Sequence, residues 1–216
     1  MILEVDSIYF EREGRKILSD IHLKMENRGV LGILGRNGSG KSSLFRVMFN
    51  QVNPQHYNFR IDGQYQASLY DKGLLQYLPQ DGFLPAGEKI GHVIRLFIKE
   101  EADRQKVQEV LQENPDSPVN SLSFGKVRLL ETLLLLFSKA PFVILDEPFT
   151  GLAPVIVESM CTMIKTQSQR KGIILTDHLH KEVSRISDRL LFMNQGCLSP
   201  IRDEAHLESL GYFTST

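Results

Sequence analysis

GRNGSGKS, residues 35–42, is a loop composed to hold phosphate. Gly35, Gly40, Lys41 and Ser42 meet the spacing G-x-x-x-x-G-K-[ST], with an apolar strand-like run before them and a helical one after, the context that spacing requires. Glycine lets the backbone curl until successive N–H groups point inward. Those donors act with the helix N-terminus on phosphate oxygens. Asn37, Gly38, Ser39 and Ser43 complete the candidate cradle. Lys41 is placed to set its charge between β- and γ-phosphates, and the Ser42 hydroxyl to meet Mg2+.

FVILDEP, residues 142–148, offers the acids such a site needs. An aspartate that ends an apolar strand is costly unless a cation meets it. Asp146 is therefore expected to hold Mg2+ through water, and Glu147 beside it to orient or deprotonate an attacking water. Adjacent acids rarely flank a sugar from opposite sides, which argues against glycosidase use of the pair. Gln80 ends LLQYLPQ and is a candidate for contact with Mg2+ or the lytic water. His178 follows GIILT and falls at the same end of the sheet, whereas His22, His56, His92, His180 and His206 have no comparable placement. A second anion-type turn, SLSFGK at 121–126, puts Ser123 and Gly125 at a helix start with no anion nearby in sequence.

These residues need a scaffold that brings strand ends together. VLGILG (30–35), FVILD (142–146), GIILT (172–176) and RLLFM (189–193) are apolar throughout, as strands covered on both faces are. The first three each precede a plausible helix. Strand, helix, strand with buried strands predicts a mainly parallel core sheet in an α/β fold, with ligands at the carboxyl ends. LEVDSI (3–8) and IHLKM (21–25) alternate instead, which predicts half-buried antiparallel strands joined by the charged turn EREGRK. Residues 87–113 carry helical periodicity, NPDSPVN breaks it at 114–120, and an apolar helix is expected from about 125 to 138. The chain thus reads as one domain over 1–216. Residues 1–80 and 139–216 form its core and 81–138 an inserted helical lobe, with Phe83 and Leu84 exposed-looking in the loop after Gln80.

The 216-residue chain is 42% hydrophobic, enough for a sizeable core. A net charge of −1 leaves no general basic field for nucleic acid. Cys161 and Cys197 have no metal or redox spacing and fit a reduced setting, with Cys161 in the core. MILEVDSIYF lacks the pattern of a signal peptide, and LLETLLLLF is too short to span a bilayer.

Taken in order, the loop GRNGSGKS, Gln80, LSFGK, ILDEP, GLAP (151–154) and TDH (176–178) resemble the motifs of the ATP-binding cassette (ABC) ATPases over essentially the whole chain. The closest flavour, from GLAP and TDH, is the group serving branched-chain amino-acid import and lipopolysaccharide export. The resemblance implies a P-loop NTPase fold with an N-terminal antiparallel β subdomain. It implies ATP and Mg2+ as cofactors, and a homodimer or a heterodimer with another such ATPase. A separate transmembrane subunit would be the membrane partner, with this chain peripheral on the cytoplasmic face. It implies that Ser123 and the Gly125 N–H meet the γ-phosphate bound by the other copy. Phe124 and Lys126 stand where the family has glycine and glutamine, so Lys126 is expected to add charge near the phosphates; Ala153 replaces the usual aspartate. The adenine-stacking position falls on Arg12, with Phe10 as the alternative. A soluble ABC ATPase and a weakly hydrolysing regulatory nucleotide switch are the other readings of the same motifs.

Overall fold

The computed structural model describes residues 1–201. Strands β1 (Ile2–Arg12) and β2 (Arg15–Glu26) form a hairpin that continues through β4 (His56–Ile61) and β5 (Gln64–Gln66) as an antiparallel sheet of order β2-β1-β4-β5. The first two strands run further than the alternating segments suggested. EREGRK is mostly strand, because Glu13 and Gly14, with φ of 53° and 74°, make the reversal in two residues and Arg12 already pairs with Arg15. Sequence reading had not anticipated β4 and β5; the Asp62–Gly63 pair between them was the hairpin signal.

The second sheet has the order β10-β9-β3-β8-β7-β6. It contains β3 (Val30–Leu34), β6 (Leu75–Leu78), β7 (Phe142–Asp146), β8 (Gly172–Thr176) and β9 (Arg189–Asn194), all parallel, with β10 (Cys197–Pro200) antiparallel on the edge. Every residue of β3, β7 and β8 is buried, as their unbroken apolar composition requires. Alternation along a strand sends neighbours to opposite faces. Accordingly Val143, Leu145, Ile173 and Leu175 join a core with the helices, while Phe142, Ile144 and Ile174 join a core with the antiparallel sheet.

Helices α1 (Lys41–Met48), α5 (Pro154–Gln167) and α6 (His180–Ile186) follow β3, β7 and β8. Between β6 and β7 lie α2 (Ile90–Phe97), α3 (Glu101–Leu111) and α4 (Phe124–Leu136). The periodic stretch 87–113 is two helices rather than one, because Ile98 leaves helical geometry (φ −112°, ψ 115°) to bury its side chain fully. Cys161 is buried in α5.

The C-terminus of α4 is closed from the other side of the fold. Lys171, buried just before β8, donates from Nζ to the carbonyls of Ser138 (2.8 Å) and Leu135 (3.2 Å). A cation suits these terminal carbonyls. Even so, burial pushes the ammonium down to about 7. A lysine that binds its proton less well folded than unfolded adds stability above its unfolded value near 10.5, and loses it as pH falls through about 7. Between those limits the wild-type unfolding free energy should rise with pH relative to Lys171→Met, by at most about 1.4 kcal/mol per pH unit. Denaturant unfolding of both proteins across this range checks it, and parallel pH curves would reject it.

Candidate functional site

The carboxyl ends of β3, β7 and β8 meet at one place. After β3 the chain curls through Gly38 (φ 76°) and Gly40 (φ 116°) into α1. A Cβ on Gly40 would stand 3.1 Å from the Ile17 carbonyl, so the loop lies hard against β2. The loop forms a cavity of about 400 Å³ lined by Ile17, residues 37–43, Gln80, Glu147 and His178. Lys41 bends back, Nζ donating to the carbonyls of Gly35 (2.7 Å) and Arg36 (3.2 Å). Burial lowers its pKa, against the pull of Asp146 and Glu147. Ser39 Oγ is buried with no hydrogen-bond partner among the described residues, a polar atom within the cradle that a ligand can satisfy.

Asp146 is 1% exposed at the end of β7. The hydroxyls of Tyr77 (3.1 Å) and Ser42 donate to its carboxylate, and burial raises its pKa against them. Burial first, and Asp146 second, push the Tyr77 phenol up. Glu147 follows with φ of 57°, an uncommon conformation for a residue that has a Cβ and precedes proline. Its Oε1 lies 2.9 Å from His178 Nε2, and its Oε2 accepts from Gln80 Nε2 (3.1 Å) and Thr150 Oγ1 (3.4 Å). Asp177 fixes the turns on both sides, its carboxylate accepting from the N–H groups of Phe149 (2.9 Å) and Leu179 (3.0 Å). Burial raises its pKa and those two amides oppose the shift.

The structure thus gathers Gly35, Asn37, Gly38, Ser39, Gly40, Lys41, Ser42, Ser43, Gln80, Asp146, Glu147 and His178. Ser123 and Gly125 lie elsewhere, at the start of α4, and are not among the described residues lining that cavity. Ser123 Oγ accepts from Lys126 N–H at 3.4 Å as the helix cap. Gly125 is required for close approach, since a Cβ there would sit 2.3 Å from the Gly151 carbonyl. Phe124, 65% exposed, lies over Gly151.

Three expectations change. Lys126 does not present a free charge at the helix start; its ammonium is paired with Glu113. Phe83 and Leu84 are half-buried against the helical core, and Phe83 meets Phe97 at 5.5 Å between rings. Arg12 is exposed, pairs with Glu13 at 3.8 Å and is not among the described cavity residues, while Phe10 is buried in the antiparallel-sheet core. Sequence reasoning missed Ile17, Tyr77, Thr150 and the positioning work of Asp177. Tyr77 carried a faint signal, being a residue of a mostly apolar strand with a hydroxyl one place before the strand's end; Ile17 carried none.

Comparison with known proteins bears on this arrangement. Residues 18–150 match the family model described as ABC transporter. The chain is 28% identical over 211 residues to the lipopolysaccharide export system ATP-binding protein LptB of Haemophilus influenzae, covering 90% of this chain and 88% of that one. It is 28% identical over 198 residues to a probable ABC transporter ATP-binding protein of Azorhizobium caulinodans, covering 85% and 70%. A solved structure of the ATP-binding subunit of an ABC transporter superposes with a TM-score of 0.81 at 20% identity, over 98% of this chain and 94% of that one. That likeness shows the fold. With the family model matched across the phosphate loop and the DEP strand, the chain belongs to the ABC transporter family, as one of its ATP-binding domains.

Proposed function

We propose that this protein binds and hydrolyses ATP as a dimer closed around two nucleotides, and thereby drives a separate transmembrane subunit. The observation that carries the reading is the Glu147 carboxylate, held by His178 and Gln80 at the mouth of the Lys41 loop. That loop grips the phosphates through inward N–H groups and Lys41. Glu147 takes up or orients the proton of an attacking water, His178 and Gln80 fix its direction, and Ser123 with the Gly125 N–H caps the phosphates held by the other copy. Mg2+ fits the donor set of Ser42, Asp146 and Gln80, because Asp146 is a buried carboxylate answered by hydroxyls; when bound it would neutralise charge on the β- and γ-phosphates. We place the core of the domain in 1–80 and 139–216, of which 202–216 lie outside the described residues, and the helical lobe in 81–138. No described helix is long and apolar enough to cross a membrane, which suits a subunit seated on the cytoplasmic face beneath a membrane partner.

Glu147→Gln should keep ATP binding, lower single-turnover hydrolysis by about 10²–10⁴, and accumulate a nucleotide-bound dimer on gel filtration with ATP. A variant that stays monomeric and hydrolyses normally would overturn the reading.

Ser123→Ala should lower turnover by about 10²–10³ while leaving the monomer's affinity for ATP unchanged. Equilibrium binding to the monomer tests this: a large loss there would place the Ser123 loop at its own chain's nucleotide.

A further inference from the structure

Arg128 and Glu131 sit one turn apart on α4, 3% and 2% exposed, with Nη1 and Oε2 3.6 Å apart. Neither faces the nucleotide cavity among the described residues. Such a pair is a poor device for stability, since well-packed apolar residues of similar volume often do as well or better. Their partners point to another role. The Arg128 guanidinium donates to three main-chain carbonyls: Nε to Glu147 (3.0 Å), Nη1 to Pro79 (2.7 Å) and Nη2 to Asp146. Glu131 Oε1 accepts from the N–H groups of Phe83 (2.6 Å) and Leu84 (3.1 Å). Gly82, at φ 76°, closes over the carboxylate; a Cβ there would fall 2.7 Å from Oε1. The pair therefore clasps the turn after β7, which carries Glu147, and both ends of the turn after β6, which carries Gln80.

The clasp matters most where the backbone is least comfortable. Glu147 holds its left-handed conformation before Pro148 through three hydrogen bonds. Its N–H donates to the Thr176 carbonyl (2.8 Å), and its carbonyl accepts from Thr150 N–H (3.3 Å) and Arg128 Nε (3.0 Å). Arg128 alone among those partners is a side chain, and alone comes from α4. Strain of this kind persists only where its surroundings over-determine it. Without that donor the peptide can relax, and the carboxylate swings away from His178 and Gln80.

We propose that Arg128 is a positioning residue for the Glu147 carboxylate, with Glu131 tying the Gln80 turn to the same frame. The proposal rests on the hydrolytic role of Glu147. Misplacement of a reacting group by about 1 Å can lower rate by about 10². The experiment is single-turnover ATP hydrolysis by the full chain, with KM and denaturant unfolding measured alongside, for Arg128→Met, Arg128→Lys and Glu131→Gln in the wild-type and Glu147→Gln backgrounds. Arg128→Met should unfold at lower denaturant than wild type, because it leaves the buried Glu131 carboxylate uncompensated, yet in the folded form lose about 10² in kcat and keep KM within about threefold. Arg128→Lys, which supplies a point charge without the planar fork, should fall between the two. Glu131→Gln, which keeps the acceptor oxygen and loses the charge, should lose less than Arg128→Met. In the Glu147→Gln background Arg128→Met should cost almost nothing more, because its effect passes through Glu147.

An equal fold-loss in both backgrounds overturns the proposal, as does normal turnover by a folded Arg128→Met. Should that variant not fold, Arg128→Lys decides, and normal kcat there also overturns it. Normal hydrolysis by Glu147→Gln itself would instead bring down the underlying reading of the site.

Discussion

A carboxylate lodged at the end of a fully buried strand is the constraint around which this molecule is arranged. Asp146 closes β7, and each residue before it in that strand is apolar and covered. Removing such a group from water is unfavourable unless donors or a cation replace the water. The chain answers with the Tyr77 hydroxyl from β6, the Ser42 hydroxyl from the start of α1, and the Lys41 charge nearby. These answers come from two segments, β6 and the start of α1, set against the end of a third. The parallel sheet is what brings them together, because its strands end at the same level and their following turns share one crevice. The requirement of one aspartate thus fixes the relative positions of the phosphate loop, the Gln80 turn and the DEP turn.

The same economy of space shows in the glycines. Gly125 and Gly151 meet so closely that a methyl on the first would collide with the carbonyl of the second. This contact sets the N-terminus of α4 directly on the loop that follows Glu147. With Arg128 a turn further along reaching the carbonyls of Asp146 and Glu147, the helix capped by Ser123 is joined to the Glu147 turn at two points. A helix is stiff over such a short distance.

Much of this was legible from residue order. The apolar runs at 30–35, 142–146 and 172–176 could be nothing but doubly covered strands, and the residues that end them could hardly avoid one another in a parallel sheet. What was less legible has physical reasons. β4 and β5 are short, polar on one side and marked only by Asp62–Gly63. Ile98 has helical neighbours and leaves the helix solely for burial, a tertiary gain that periodicity does not display. Nothing in the sequence singled out Arg128 and Glu131; that both are buried depends on which face α4 turns to the sheet. The roles of Thr150 and Asp177 likewise depend on turns whose course follows from packing rather than composition.

The departures in the LSFGK turn are accommodated within this chain. Phe124, where the family has glycine, adds no strain to α4, since it occupies the first helical position and needs no positive φ. Its ring covers Gly151, a residue whose lack of a side chain leaves the space. Lys126 is neutralised by Glu113 from the segment that leads out of α3, so its charge is spent in joining α3's end to α4's start. The two groups that remain at the helix start, the Ser123 hydroxyl and the Gly125 N–H, are the ones whose chemistry suits an anion. Both substitutions thus alter the rim of the turn and leave its donors in place. The exposed Phe124 ring enlarges the apolar surface that a second copy would meet beside the nucleotide. The rim is then bulkier than a glycine would make it, and the proposed dimer would have to fit this ring as well as the phosphates.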